Sequence, residues 1–84
     1  MYMTPMTREA FETALDSGTL YVAMAGGRWW QARRNGKTRT WKRDPARFEI
    51  PFKVGFRTCG TIRDDSELVC YRIAESREEA EGRA

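Results

Sequence analysis

The sequence predicts an α+β fold in which a short N-terminal helix packs on a small antiparallel sheet of four to five strands. Apolar residues follow a helical spacing only near the N-terminus, and from residue 19 they alternate with a period of two. Turn signals separate the alternating runs. At 84 residues, with 40% hydrophobic composition, the chain is expected to form one domain with a modest core.

The helix is predicted to begin after Thr7, a favourable N-cap, and to end near Asp16. Gly18, just beyond, suits the left-handed conformation that often closes a helix. One face of this helix carries the apolar residues Phe11, Ala14 and Leu15. A helix this short is marginal alone, so a sheet is expected to cover that face.

Three strands are predicted next, over residues 19–25, 28–34 and 37–42, joined by two-residue turns at Gly26-Gly27 and Asn35-Gly36. With both hairpins closed, Trp30 lies opposite Ala23 on one side and Trp41 on the other. The expected core face carries Leu20, Val22, Met24 and Trp29. The expected exposed face carries Tyr21, Trp30 and Trp41, with Ala23, Ala25 and Ala32 between them.

The clearest alternation runs from Arg47 to Arg57 and predicts the principal core strand, with one side made of Phe48, Ile50, Phe52, Val54 and Phe56. Pro51 lacks a backbone donor, so this strand is expected to be at an edge, bulged or split near that point. Residues 64–66 form a predicted turn, and residues 67–74 a last strand. The predicted domain covers residues 1–74, and residues 75–84 form a charged tail, frayed or disordered.

The residue types argue against catalysis. The chain has no histidine, which removes the commonest general base and the commonest metal ligand. Asp64, Asp65 and Glu67 could hold a divalent cation, but three acids in a turn more often form a solvated loop. Cys59 and Cys70 are not in a CxxC arrangement and are expected to be reduced and inert. We therefore predict a protein that is not an enzyme, with no catalytic residue, metal site or cofactor.

Positive charge is concentrated in the middle of the chain. The net charge is +3, yet residues 28–57 carry ten Lys or Arg against only Asp44 and Glu49. Cations attract phosphate or an acidic partner, and flat aromatic rings offer stacking area. The predicted partner-binding residues are Tyr21, Arg28, Trp30, Arg34, Lys37, Arg39 and Trp41. In the alternative interpretation, the helix covers a Trp30–Trp41 cross-strand pair and only a diffuse basic patch remains.

The expected partner is a protein or nucleoprotein complex, with nucleic acid as a further candidate. The sequence contains no RNP, KH, zinc-finger or helix-turn-helix signature that would decide between them. It also lacks a long apolar stretch and a signal-peptide pattern, so a cytoplasmic protein of the host cytosol, without a membrane partner, is expected. The sequence leaves the oligomeric state open.

The run GRWWQARRNGKTRTWKRDP, followed by RFEIPFKVGF, resembles the small orphan proteins of phages and other mobile elements. Anti-CRISPR proteins are a prominent class of this size. The resemblance is one of size, composition and architecture. It implies a non-enzymatic inhibitor or accessory factor that docks on a nucleoprotein or protein target, here through the basic aromatic β-ribbon. The alternative is a direct single-stranded DNA- or RNA-binding module.

Overall fold

The N-terminal helix forms where the sequence predicts it. The structure, a computed structural model, describes residues 2–82. Helix α1 spans Arg8–Ser17, and the Thr7 side chain accepts a hydrogen bond from the backbone N–H of Ala10. The helix ends at Gly18, whose φ of 74° places it in the left-handed region. Its buried face consists of Phe11, Ala14 and Leu15, as predicted.

Six antiparallel strands form one curled sheet, which confirms the α+β fold class. The strands are β1 (Leu20–Ala23), β2 (Trp29–Arg34), β3 (Arg39–Trp41), β4 (Asp44–Val54), β5 (Thr58–Arg63) and β6 (Tyr71–Ile73). Their order is β3-β4-β2-β1-β6, and β5 pairs with β4. A short second helix, α2, spans Arg77–Ala80. Within residues 2–82, no helix is long and apolar enough to cross a membrane.

The main core lies between α1 and the sheet. Ile50 on β4 and Ile62 on β5 are both fully buried, and Phe52 and Val54 are also buried. The Tyr71 ring meets Phe11 edge-on, with ring centroids 5.3 Å apart, and burial raises the pKa of the Tyr71 hydroxyl. The row predicted for β4 is thus largely confirmed. Its last member, Phe56, is an exception because it lies in the turn after β4 and is fully exposed.

The hairpin predicted at Asn35-Gly36 is wrong. Strand β2 pairs with β4, with Arg34 opposite Phe52, and β3 also pairs with β4, with Arg39 opposite Glu49. Since β5 occupies the other edge of β4, β2 and β3 lie end to end along one edge. Residues 35–38 form a bulge where β4 has only residues 50 and 51. The chain reverses instead at residues 42–43, because Trp41 lies opposite Asp44.

The bulge also explains how Pro51 is accommodated inside a central strand. The Pro51 carbonyl accepts a hydrogen bond of 2.9 Å from the Asn35 N–H. In an antiparallel strand, the N–H and C=O of one residue point to the same edge. The missing donor of Pro51 therefore faces the bulge, where the ladder of hydrogen bonds is already interrupted. Strand β4 itself is continuous, and the irregularity expected near Pro51 lies in its neighbour.

The register of β1 against β2 differs from the prediction by one residue. Residues 24–28 connect the strands through a 3₁₀ turn at Ala25–Gly27, and Val22, not Ala23, lies opposite Trp30. A one-residue shift moves side chains to the other face of a sheet. The shift turns Ala32 to the face of Val22, where it is buried in the main core, whereas Tyr21, expected to be exposed, is buried on the opposite face. Trp29 is buried as predicted, but in a second cluster with Tyr21, Ala74 and Ala80.

The C-terminal segment packs against β2. Strand β6 is shorter than the strand predicted over residues 67–74, because a 3₁₀ turn at Leu68–Cys70 precedes it and leaves Val69 exposed. The Ser76 side chain caps α2 by accepting from the Glu79 N–H. Ala80 is fully buried, and the Glu81 carboxylate accepts a hydrogen bond from the Trp29 N–H. Residues 76–81 thereby cover the second cluster.

Candidate partner-binding surface

The predicted platform of three aromatic rings is not assembled. Tyr21 lies opposite Gln31, on the face of β1 and β2 that does not carry Trp30, and it is buried. Trp30 is 40% exposed, as the prediction requires. Trp41 is half-buried on β3, which does not pair with β2, and the Arg47 guanidinium lies 5.1 Å from its ring. The three rings therefore do not form a row on one face.

Arg34 has a structural role, because its guanidinium group is engaged by other side chains of the domain. Its Nε lies 2.9 Å from Asp16 Oδ1, and its Nη1 lies 3.0 Å from Thr38 Oγ1. Its Nη2 donates to Glu12 Oε2, which also accepts from the Thr38 hydroxyl. The hydrogen bond from Arg34 lowers the pKa of Asp16, and that same bond raises the pKa of Arg34. This network fastens α1 to the bulge.

The other predicted cations are dispersed. The Arg28 guanidinium lies 3.5 Å from a Glu81 carboxylate oxygen, at the end of β2 that faces α2. Arg39 lies 3.9 Å from Glu49, a carboxylate that Arg63 contacts more closely at 3.0 Å. Lys37 is exposed in the bulge and forms no ion pair within residues 2–82. These side chains belong to different parts of the sheet, so they do not frame one binding site.

The structure brings together a different set of aromatic and cationic residues around the turn between β4 and β5. A hollow of about 440 Å³ lies beside this turn, with Tyr21 and Gln31 in its wall. We call the surface around it the Phe56 surface and define it by Trp30, Arg33, Lys53, Phe56, Arg57 and Arg77. Trp30 is the one predicted site residue with an exposed ring on this surface.

Gly55 explains the position of Phe56. Its φ of 63° lies in the left-handed region, so the chain turns directly after Val54 in a three-residue connection to Thr58. Phe56 thereby leaves the inward row of β4 and projects into solvent. A fully exposed phenylalanine loses the free energy that burial would provide, about 1.5–3 kcal/mol. The fold therefore gains nothing from the Phe56 ring.

Two cations lie directly opposite each other on the same surface. Arg33 on β2 pairs in register with Lys53 on β4, and both side chains are exposed. Like charges directly across an antiparallel pair are destabilising. Within residues 2–82, neither Arg33, Lys53 nor Arg57 forms an ion pair. Their positive charge is therefore available to an external anion.

A second, more apolar hollow of about 500 Å³ shares Phe56 with the first in its lining. Trp30 and Phe56 line both hollows, and neither lining contains an acidic residue. From α2, the Arg77 guanidinium lies 4.1 Å from the centre of the Trp30 ring. The surface thus offers two rings, two adjacent concavities and several cations, a combination suited to binding an anion that carries flat or apolar groups.

Most of the Phe56 surface was missed by the sequence prediction. From the sequence, Arg33 is expected at the far side of the core face, Lys53 and Arg57 on the solvent side of the principal strand, and Arg77 in the tail, none of them with a role in binding. Phe56 was assigned to the core by the period of two, although the preceding Gly55 was a turn signal. Arg77 carried no signal, because its contact with Trp30 depends on the packing of α2.

The acidic turn and the two cysteines are the remaining candidate sites for chemistry. Asp64 Oδ1, in the predicted acidic turn, accepts a hydrogen bond from the Phe48 N–H. Within the described part of the chain, no group of three acids or thiols lies close enough to hold a metal ion. Cys59 and Cys70 are both free thiols.

Comparisons of the whole chain with known protein families, curated proteins and solved structures find no match.

Proposed function

We propose that this chain is a non-enzymatic binding protein that docks on a nucleoprotein or protein target through the Phe56 surface. The observation that carries the proposal is the exposure of Phe56 and Trp30 next to Arg33, Lys53 and Arg57, which form no ion pair within residues 2–82. Aromatic and arginine side chains dominate the binding energy of many interfaces. A cluster of exposed rings costs solubility, which favours a role in recognition.

The charge of the surface favours an anionic target. Arg33, Lys53, Arg57 and Arg77 contribute positive charge, and none of the acids among residues 2–82 lines either hollow. Such a surface attracts a partner with exposed phosphates or carboxylates. Together with the similarity in size, composition and architecture to small phage proteins, this supports a role as an anti-CRISPR-like inhibitor or accessory factor in the host cytosol.

The test uses the chain as bait in a lysate of its host, with bound material identified by mass spectrometry. Three forms are compared: the wild type, Phe56→Ser and Val69→Ser. Val69 is a matched control because it is also an exposed apolar residue, at 74% exposure, but lies outside both hollows. We expect the wild type and Val69→Ser to retain the same target and Phe56→Ser to lose it, with all three folded by circular dichroism. Equal recovery by Phe56→Ser would refute the proposal.

A further inference from the structure

The Arg33–Lys53 pair has the geometry of a site for one phosphate group. Directly opposed residues in an antiparallel pair have Cβ atoms about 4.5–5.5 Å apart. Two long cationic side chains at that spacing can both reach the oxygens of a single phosphate, arginine through its planar fork and lysine as a point charge. Both flank the 440 Å³ hollow, and no acid of that lining competes for them.

The aromatic residues add a second recognition element beside this pair. Trp30 and Phe56 line the same hollow as Arg33 and Lys53, and both rings are exposed. A nucleic-acid base stacks on such rings whatever its identity, because every base has a flat π-face. The adjacent 500 Å³ hollow, shared by the two rings, gives room for a further base with Arg57 at its border.

From this geometry, and resting on the proposed function, we infer that the Phe56 surface binds single-stranded nucleic acid, as the exposed strand of a nucleoprotein target. Phosphates occupy the cationic positions, and bases stack on Phe56 and on the exposed part of Trp30, whose ring Arg77 also contacts. Duplex nucleic acid fits less well, because its bases are already stacked inside the helix and leave the two rings without partners. An acidic protein would satisfy the cations but would not need two stacking surfaces beside them.

The inference is tested by fluorescence anisotropy with a labelled oligothymidylate and a duplex of the same length. The wild type is expected to bind the single strand more tightly than the duplex, with a log-linear loss of affinity as salt increases. Phe56→Ser is expected to weaken binding by about tenfold to a hundredfold. Arg33→Gln and Lys53→Gln are each expected to lower the magnitude of the salt slope by about one unit at most.

Two matched controls test whether binding depends on the Phe56 surface itself or on the overall charge and apolar surface of the domain. Lys42→Gln removes one positive charge from the β3–β4 turn, at the opposite end of β4 from Lys53 and outside the lining of both hollows. It is expected to change affinity by less than about threefold, as is Val69→Ser. Equal losses for Lys42→Gln and Arg33→Gln would overturn the inference, because the charge would then act diffusely. Equal affinity for single strand and duplex, or no binding at low salt, would also overturn it.

The two proposals fail in different ways. If the wild type binds no oligonucleotide but still captures a target that Phe56→Ser loses, the inference is wrong and the proposed function stands. If that capture also persists after nuclease treatment of the lysate, the target is recognised as protein. If the oligonucleotide binds and Phe56→Ser binds it equally well, the inference is wrong, and the proposed function then depends only on whether Phe56→Ser still captures the target.

Discussion

Arg33 and Arg34 are adjacent on β2 but have different roles, because side chains of successive residues in a strand point to opposite faces of the sheet. Arg34 shares a face with Phe52 and Ala32, toward α1, where Glu12 and Asp16 contact its guanidinium. Arg33 projects to the other face, opposite Lys53, and forms no ion pair within residues 2–82. Charge reversal at Arg34 would therefore disturb the docking of α1, and a loss of binding in such a variant would not report on a partner site.

The Arg34 network makes stability depend on pH. The carboxyl group of Asp16 has its pKa lowered from the usual 3.8 by the hydrogen bond from Arg34. Its contribution to folding is therefore complete above 3.8 and disappears as the pH falls through the lowered pKa of the folded state. Asp16→Asn is expected to reduce the free energy of unfolding at neutral pH, and the gap to the wild type is expected to narrow in acid.

Urea denaturation at neutral pH and at several pH values below 3.8 measures the difference in free energy of unfolding between Asp16→Asn and the wild type. Asp65→Asn is the control, since it makes the same chemical change in the exposed turn, where Asp65 forms no ion pair within residues 2–82. The control is expected to match the wild type at every pH. A gap for Asp16→Asn that stays constant in acid would show that the Arg34 contact does not act through the charge of Asp16.

At the scale of elements, β4 organises the molecule, and two phenylalanines near its C-terminal end, one in the strand and one in the turn that follows, have opposite environments. Phe52 is buried against the core, whereas Phe56 is in solvent. Phe52→Ala is expected to cost about 3–5 kcal/mol of stability, and Phe56→Ala about 0.5 kcal/mol or less. Chemical denaturation compares the two, with Phe52→Leu as a milder variant if Phe52→Ala does not fold. Similar midpoints for the Phe52→Ala and Phe56→Ala variants would contradict the turn at Gly55.

The elements that the sequence predicts well are those with local signals. The ends of α1 follow from Thr7 and Gly18, which lie within one turn of the helix. The core row of β4 follows from its strict alternation. Strand β5 has no such pattern, because Gly60 interrupts it. A side chain there is not tolerated, since a Cβ on Gly60 would lie 2.6 Å from Phe52 Cζ. The need for glycine at position 60 arises from the pairing of β5 with β4, so the sequence of β5 alone does not predict it.

The hairpin predicted at Asn35-Gly36 does not form, because the preference of these two residues for a tight turn is weaker than the gain from burying apolar side chains. Pairing β2 with β4 buries Ala32 completely beside Val54, whereas the predicted hairpin would have left it exposed. Burial of apolar surface contributes more than the choice of a turn type. Of the aromatic residues predicted for the site, Trp30 is exposed as predicted. Phe56 and Arg77 could not be joined to it, because their contacts depend on long-range packing.

At the scale of the whole molecule, the N-terminal and C-terminal segments meet on the second cluster. The Arg72 guanidinium lies 4.1 Å from the centres of both the Tyr2 and the Trp29 rings, and it donates a hydrogen bond to the Ala80 carbonyl. The N-terminal segment adds a bridge between Met3 and Ile73. These contacts place α2 beneath β2, and through α2 they position Arg77 over Trp30.

Ala80→Glu tests this packing, because the side chain at position 80 has no solvent exposure. We expect a loss of roughly 2 kcal/mol, limited because α2 can detach from the rest of the domain. Thermal unfolding measures the loss, and a change in tryptophan fluorescence reports exposure of Trp29. Ala46→Glu is the control, since Ala46 is exposed on β4, and it is expected to leave both signals unchanged. Equal effects of the two variants would place α2 away from β2.

The long sequence separation between β2 and α2 has a consequence for the order of folding. Strands β3, β4 and β5 meet through short turns, whereas the Trp29 N–H and the Glu81 carboxylate that accepts its hydrogen bond are 52 residues apart. Contacts between residues distant in sequence carry the larger loop-closure entropy and tend to form late. We therefore expect residues 76–81 to dock late, and the Phe56 surface to be complete only after they have docked. A ligand that binds the completed surface would stabilise this late-forming segment by mass action, which couples recognition to the final step of folding.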